Sequence, residues 1–221
     1  MIFKSIFLSG GSGSAGGLCV SRNKGGYYVK SKASPINPNS ARQQATRTQL
    51  ADYASNWTLL LTDVQRAMWN SYSQSHTIKN ALGEDIYING INWYIMFNTR
   101  LADASLTAIA VPPPGAAPIG FTTCSGDVSA LDTLDVTFTP AVPAGHVIQL
   151  WQTLPCTQGS TPNFNQTRLV GYSGAAQASP WAATLPFTVN VDEQITCFAR
   201  LMNPDGQVSV FSTFSDIADY I

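Results

Sequence analysis

Charge is scarce in this chain. Of its 221 residues only 11% are Asp, Glu, Lys or Arg, against roughly 25% in ordinary soluble domains. Ser, Thr, Asn, Gln and Gly supply most of the polar surface instead. Intrinsic disorder is excluded, because it needs few apolar residues and high net charge, whereas 44% of this chain is hydrophobic and its net charge is −1. Sparse charge also leaves little repulsion between identical copies, so self-association is expected.

Histidine is scarcer still, with only His76 and His146, one in each half. A metal site or a Ser/His/Asp triad would have to be built on a single imidazole. The simpler reading places His76 at the end of a helix, where a cation suits the dipole, and His146 in a turn after Pro143-Ala144-Gly145. The four cysteines, at 19, 124, 156 and 197, are separated by 105, 32 and 41 residues, so the CxxC pair of a zinc or redox site is missing. Cys124, Cys156 and Cys197 sit in strand-like runs, where a free thiol acts as a small buried hydrophobe. There is no HExxH, GxSxG or P-loop, and the neighbours Glu84 and Asp85 would point to opposite faces of a strand. No catalytic residue, metal ligand or cofactor is therefore assigned, and catalysis is not expected.

Long apolar runs are missing too. None approaches the ~20 residues that span a bilayer. Residues 1–8 begin like a signal peptide, but the apolar stretch stops at Ser9-Gly10-Gly11-Ser12-Gly13-Ser14, too short for export. The expectation is a protein with no signal peptide, no transmembrane segment and no membrane partner.

What charge there is has been segregated. Residues 1–110 hold ten Lys/Arg and five Asp/Glu, a net +5, whereas in residues 111–221 only Arg168 and Arg200 oppose eight acids, a net −6. The first 50 residues contain seven cations and no acid. That stretch calls for an anionic partner, which could be nucleic acid, the acidic half of a neighbouring subunit, or nothing more than solvent.

Residues 9–17, with five glycines among small side chains, read as a flexible arm. Leu18-Cys19-Val20 and Tyr27-Tyr28-Val29 then flank the glycine turn of a β-hairpin. Ser40-Ala41-Arg42-Gln43 and Thr62-Asp63-Val64-Gln65 are capping boxes, each starting a helix. Leu50, Tyr53, Ala54, Trp57 and Leu61 form one apolar stripe, and Val64, Met68 and Tyr72, with Trp69 beside them, line the next. A third helix spans about 91–104, with Ile91, Tyr94, Ile95 and Leu101 on one face, after a short strand at 85–88. These aromatics read as core rather than as a ligand box, and Arg47 and Arg66 fall outside the stripes. Residues 112–118, Pro-Pro-Pro-Gly-Ala-Ala-Pro, cannot continue a helix. Beyond them the period becomes two, over 134–138, 147–151, 187–191, 195–201 and 208–211, with Asn203-Pro204-Asp205-Gly206 as a hairpin turn. The predicted fold is therefore α+β in two parts: an arm, a β-hairpin and about three helices, then an antiparallel β-sandwich of about seven strands. Domain boundaries follow as a basic arm and hairpin over 1–38, a helical domain over 39–111, a linker over 112–118 and a sandwich over 119–221.

The segment 119–214, with its proline-led first strand, its Trp151 strand and its closing hairpin, resembles a fibronectin type III or immunoglobulin-like domain. The N-terminal half, through SRNKGGYYV at 21–29, NPNSARQQ at 37–44 and LTDVQRAMW at 61–69, resembles a family of small structural proteins encoded by phages and prophages. That resemblance implies a virion component made in the host cytoplasm, in a capsid, decoration or tail-associated role, with copies of itself and other virion proteins as partners. The candidate partner contacts are Arg22, Lys24, Tyr27, Tyr28, Lys30 and Lys32 on the basic hairpin. One alternative is a carbohydrate- or receptor-binding module stacking sugars on Trp151, Tyr172 or above all Trp181, which Ser179-Pro180 would place in a loop. A second alternative is nucleic-acid binding by the arm, with Arg22, Lys24, Lys30 and Lys32 on phosphates and Tyr27 or Tyr28 stacking on bases.

Overall fold

The computed structural model describes residues 13–23, 26–33, 37–79 and 83–220. The chain divides into two compact units, 1–45 and 46–221. In the first, Gly13–Ala15 (β1), Leu18–Asn23 (β2) and Gly26–Ser31 (β3) form an antiparallel sheet in the order β1-β2-β3. The hairpin is the expected one, with Ser21 opposite Tyr28 and Cys19 opposite Lys30. Part of the arm is not a free coil: residues 13–15 pair with 18–20, because ladder bonds are made by backbone and Gly16, at φ +56°, takes the left-handed turn between the strands. Residues 9–12 of the expected arm, and the turn residues Lys24 and Gly25, lie outside the described residues.

Three helices follow, Ala41–Leu59 (α1), Asp63–Ser75 (α2) and Gly90–Asp103 (α3), with Ile78–Lys79 (β4) paired to Asp85–Ile86 (β5) between the last two. Both capping boxes form. The Gln43 amide donates to Ser40 Oγ at 3.4 Å while Ser40's amide donates to Gln43 Oε1 at 3.3 Å. Thr62 and Gln65 make the same reciprocal pair at the start of α2. Arg66 does not simply face solvent. Its Nη1 donates to the carbonyls of Trp57 and Leu61, both at 3.1 Å, and its Nη2 pairs with Asp63, so it satisfies carbonyls that the end of α1 leaves without helical partners.

The stripes shift once packing is imposed. Trp69 is fully buried, and its Nε1 donates to the Ala110 carbonyl at 3.0 Å, which fixes the inward face of α2 and turns Val64 and Met68 outward. On α3 the buried face is Trp93, Tyr94, Phe97, Asn98 and Leu101, leaving Ile91 and Ile95 half-buried. Leu61, Trp69, Trp93, Tyr94 and Phe97 make one core cluster, in which Tyr53, Trp57, Trp69 and Tyr94 meet at 5.7–6.2 Å between ring centroids. Such tilted and edge-on contacts are the geometry aromatic quadrupoles favour.

The rest of the second unit is antiparallel sheet. Thr123–Ala130 (β6), Thr133–Thr139 (β7), Val147–Gln152 (β8), Cys156–Thr157 (β9), Arg168–Tyr172 (β10), Trp181–Thr184 (β11), Glu193–Met202 (β12) and Ser212–Ile217 (β13) complete the strands. One sheet runs β11-β7-β6, and the other runs β10-β8-β12-β13 with β9 also on β12. Val128, Leu134, Val136 and Phe138 from the first share one core with Ile148, Leu150, Ile195, Cys197, Ala199, Leu201 and Phe214 from the second. Ile195, Cys197, Ala199 and Leu201 are the inward members of β12's period-two pattern, and Phe198 and Arg200 take its other face. The chain is α+β, as its patterning indicates.

Two expected strands are absent among the described residues. Residues 187–191 follow Pro186 as an irregular segment in which only Val189 is buried, its amide bonded to the Leu131 carbonyl at 2.7 Å. At 208–211 a single bridge joins Val208 to Met202. There the Ser209 hydroxyl takes the Leu201 amide at 2.9 Å and ends the ladder.

The proline-rich segment 112–118, where the sequence places a linker, lies inside the second unit and is tied on both sides. Asn98, fully buried, donates Nδ2 to the Ile109 carbonyl at 3.1 Å and accepts the Ile109 amide at 2.7 Å. Gln207 Nε2 donates to the Gly115 carbonyl at 2.9 Å. Gly206, at φ +80°, approaches α3 so closely that a Cβ there would stand 3.0 Å from the Phe97 carbonyl and 3.3 Å from Leu101 Cγ.

Candidate functional site

Around the junction of α3 with the turn at 203–207 lie ionisable side chains that burial displaces from their ordinary values. Tyr172 on β10 and Arg200 on β12 both stand opposite Gln149 on β8, so the three form one rung across three strands. Arg200 Nε donates to Gln149 Oε1 at 2.6 Å, and Gln149 Nε2 donates to the Tyr172 hydroxyl at 2.9 Å. The Arg200 guanidinium lies 4.5 Å from the centroid of Phe211, within cation–π range. Arg100, from the last turn of α3, reaches the same region. Its Nη1 contacts the Gly206 carbonyl at 3.5 Å and its guanidinium sits 5.9 Å from the Phe97 centroid.

Arg100, Arg200 and Tyr172 are each displaced for a physical reason. Burial pulls Arg100 down to about 10, helped by the like charge of Arg200 and opposed by Tyr172. Burial also lowers Arg200. Tyr172 is pushed up, first by burial and then by the carboxylate of Asp103, with Gln149 and the two arginines acting the other way. Asp103 itself is exposed and accepts a hydrogen bond from Gln49 at 3.3 Å. Ion pairs join Arg66 to Asp63 and Lys79 to Asp85, and no ion pair of Arg100 or Arg200 is seen among the described residues.

Arg100 also lines a cavity of about 490 Å³ walled by Tyr72, His76, Trp93, Phe97 and Gln207. His76 caps the end of α2, as expected, and stacks on Tyr72 at 3.7 Å with an interplanar angle of 7°. One wall is therefore a flat aromatic pair and another a cation. Trp93 Nε1 is buried without a hydrogen-bond partner.

The hairpin candidates fall elsewhere, in the first unit. Tyr28 and Lys30 alternate onto one face of β3, with Tyr28 half-buried and Lys30 exposed, and Lys32 is exposed just beyond the strand. Arg22 and Tyr27 occupy paired positions on β2 and β3, and Lys24 lies outside the described residues. Trp181 is not in a loop. It opens β11 opposite Val136 and packs, partly buried, against the sandwich core. Trp151 and Tyr172 are half-buried as well, so none of the three rings is the open platform a sugar would need. Among the described residues the exposed aromatics are Tyr87, which precedes α3, and Phe164 and Phe211, both edge-on to Phe198 at 6.0 and 6.2 Å.

Arg100 and Arg200 are 100 positions apart, and no local motif joins them. A signal for one of them was present: in a half with eight acids and two cations, Arg200 sits at an outward position of a strong period-two strand. Comparison with family models, curated proteins and solved structures finds no match.

Proposed function

We propose that this chain is a structural component of a phage virion, capsid-, decoration- or tail-associated, and that it acts by self-assembly and subunit contacts rather than by catalysis. The observation that carries this reading is the apolar surface of the first two helices. None of the nineteen residues of α1 is fully buried, and the helix meets the core through the half-buried Tyr53 and Trp57. At the corner with α2, Leu59, Leu60 and Val64 are 77%, 70% and 70% exposed, with Leu50 and Met68 exposed beside them in the sequence. Apolar side chains gathered on neighbouring turns mark a surface that a partner covers, and the low charge density would not oppose that contact. The sequence resemblance to phage structural proteins names the kind of assembly.

The test is mass spectrometry and imaging of purified particles, together with sedimentation of the isolated protein at rising concentration. The reading requires the protein in the particle as a regular array. A protein absent from particles and monomeric at every concentration overturns it.

A second reading keeps one specific support. We infer that the sandwich is of the fibronectin type III or immunoglobulin-like kind, since its principal strands divide as first, second and fifth against third, fourth, sixth and seventh. On the outer side of the larger sheet the Phe164, Phe198 and Phe211 trio offers two exposed rings to a carbohydrate or receptor. A glycan array decides it, and silence across the array removes the carbohydrate version.

A further inference from the structure

The 490 Å³ cavity beside α3 has the size and the mainly apolar lining of a small-molecule pocket. The end of α2, the start of β4, α3, the 115–117 segment and residues 207–208 enclose it, all within the second unit. One side is aromatic, made by the Tyr72–His76 stack, Trp93 and Phe97, with the thioether of Met96 beside them. These walls are fixed by contacts of their own. Trp93 stands edge-on to Tyr72 at 5.4 Å and stacks on Phe97 at 5.5 Å. Gln207 donates Nε2 to the Gly115 carbonyl and accepts from Asn203 Nδ2, both at 2.9 Å. A pocket ordered before its ligand arrives loses little conformational entropy on binding.

The charged side chain in this lining is Arg100. Phe97 ties it to the aromatic wall, its ring centroid lying 5.9 Å from the guanidinium and 6.1 Å from the Tyr72 ring. With its pKa at about 10, Arg100 is charged at neutral pH. Among the described residues that line the cavity none is Asp or Glu. Asp85, which the Thr77 hydroxyl reaches at 3.2 Å, is itself paired with Lys79. A hollow with one flat aromatic wall and one cation is complementary to a ligand with a flat apolar body and an acid group.

We propose that this cavity binds a small aromatic carboxylate, its ring on the wall of Tyr72, Trp93 and Phe97 and its carboxylate on Arg100. The inference stands apart from the virion reading, because it concerns what the isolated chain binds and not where the chain is found.

The probe is 2-naphthoate, measured by equilibrium dialysis against the full chain, with 2-naphthol as the ring without the acid and acetate as the acid without the ring. Saturable uptake of 2-naphthoate at one site is expected, with 2-naphthol about tenfold weaker and acetate not retained. Arg100→Gln should lower the affinity for 2-naphthoate about tenfold. Ala116→Trp, at an exposed position on the cavity wall, should obstruct the site and abolish uptake. Arg168→Gln should match wild type, since Arg168 lines a different cavity of about 440 Å³ beside Phe187. The Trp93 indole N–H resonance, identified by its loss in Trp93→Phe, should shift during the titration of wild type. Three results would overturn the proposal: no saturable uptake by wild type, equal affinity for 2-naphthoate and 2-naphthol, or uptake that survives Ala116→Trp and is lost in Arg168→Gln. The comparison of the two ring compounds on wild type tests the role of the cation even where Arg100→Gln folds poorly.

Discussion

Asn98 holds Ile109 by both of its backbone polar groups, donating to the carbonyl at 3.1 Å and accepting the amide at 2.7 Å from a position with no solvent exposure. A third bond, from Nδ2 to the Tyr94 carbonyl at 3.0 Å, uses the amide's second N–H. Truncating Asn98 to Ala leaves a buried N–H and C=O without partners, and the expected loss is about 2–4 kcal/mol. Urea unfolding of Asn98→Ala measures it. A loss under half a kilocalorie would mean that this clamp does not hold the segment in solution.

Gln152 presents the opposite case. It too is fully buried, paired with Cys197 across β8 and β12, yet neither of its side-chain polar atoms has a partner. Replacing a buried polar group that makes no hydrogen bond by an apolar one of similar volume removes a desolvation penalty. Gln152→Met is therefore expected to raise stability by about 1–2 kcal/mol, read as a shift of the urea midpoint at unchanged slope. A destabilised Gln152→Met would mean that the amide is satisfied in solution.

Gly206 combines a left-handed backbone with a close approach to α3. Alanine there meets both the φ penalty and the Phe97 carbonyl, so Gly206→Ala should cost about 1–3 kcal/mol. Gly174→Ala, at an exposed position where an added Cβ would meet its nearest atom at 3.7 Å, serves as the comparison. Equal melting temperatures for the two variants would contradict the packing of the turn on the helix.

Asp216 gives a pH signature. Its carboxyl is raised above the ordinary range by burial foremost, against the lowering effect of the Val128 amide, which it accepts at 2.8 Å. A raised folded value means that the native state favours the protonated form. The associated stability is fully present below the ordinary carboxylate pKa of about 4 and is lost as pH rises through the raised value. Asp216→Asn keeps an acceptor for Val128 and removes this titration. Its stability relative to wild type should climb across that window and level off above it, which melts at stepped pH will show; a difference constant with pH would refute the assignment.

Leu59 and Leu60 test the assembly surface. Both are largely exposed, so Leu59→Ser with Leu60→Ser should change the free energy of unfolding of the isolated chain by no more than about 0.5 kcal/mol per site. Self-association measured by sedimentation equilibrium should weaken markedly. Wild-type association in the double variant would place the contact elsewhere.

Features that depend on a few adjacent residues were legible in the sequence. Both capping boxes, the hairpin at 18–31, the turn at 203–206 and the strands around Val136, Leu150 and Cys197 rest on local chemistry, and each stands where its residues indicate. Features set by tertiary choice were not. Val64 and Met68 have helical spacing, yet only the placement of Trp69 against Ala110 decides which side of α2 faces inward. The 187–191 stretch alternates like a strand but has one anchor, Val189, and no ladder. Arg100 is the extreme case, because it reaches the Gly206 carbonyl, 106 positions away, only after α3 has docked on the turn that follows β12.

The seat of Gly206 on α3 also has a mechanical side. The prolines at 112–114 suggest slack, but Asn98 grips the chain just before them and Gln207 grips Gly115 just after. Tension applied to β13 is therefore delivered to α3 through the 203–207 turn, over a path of packed atoms. For α3 and the 203–207 turn to separate at the proline segment, the bonds of Asn98 to Ile109 or of Gln207 to Gly115 must break first.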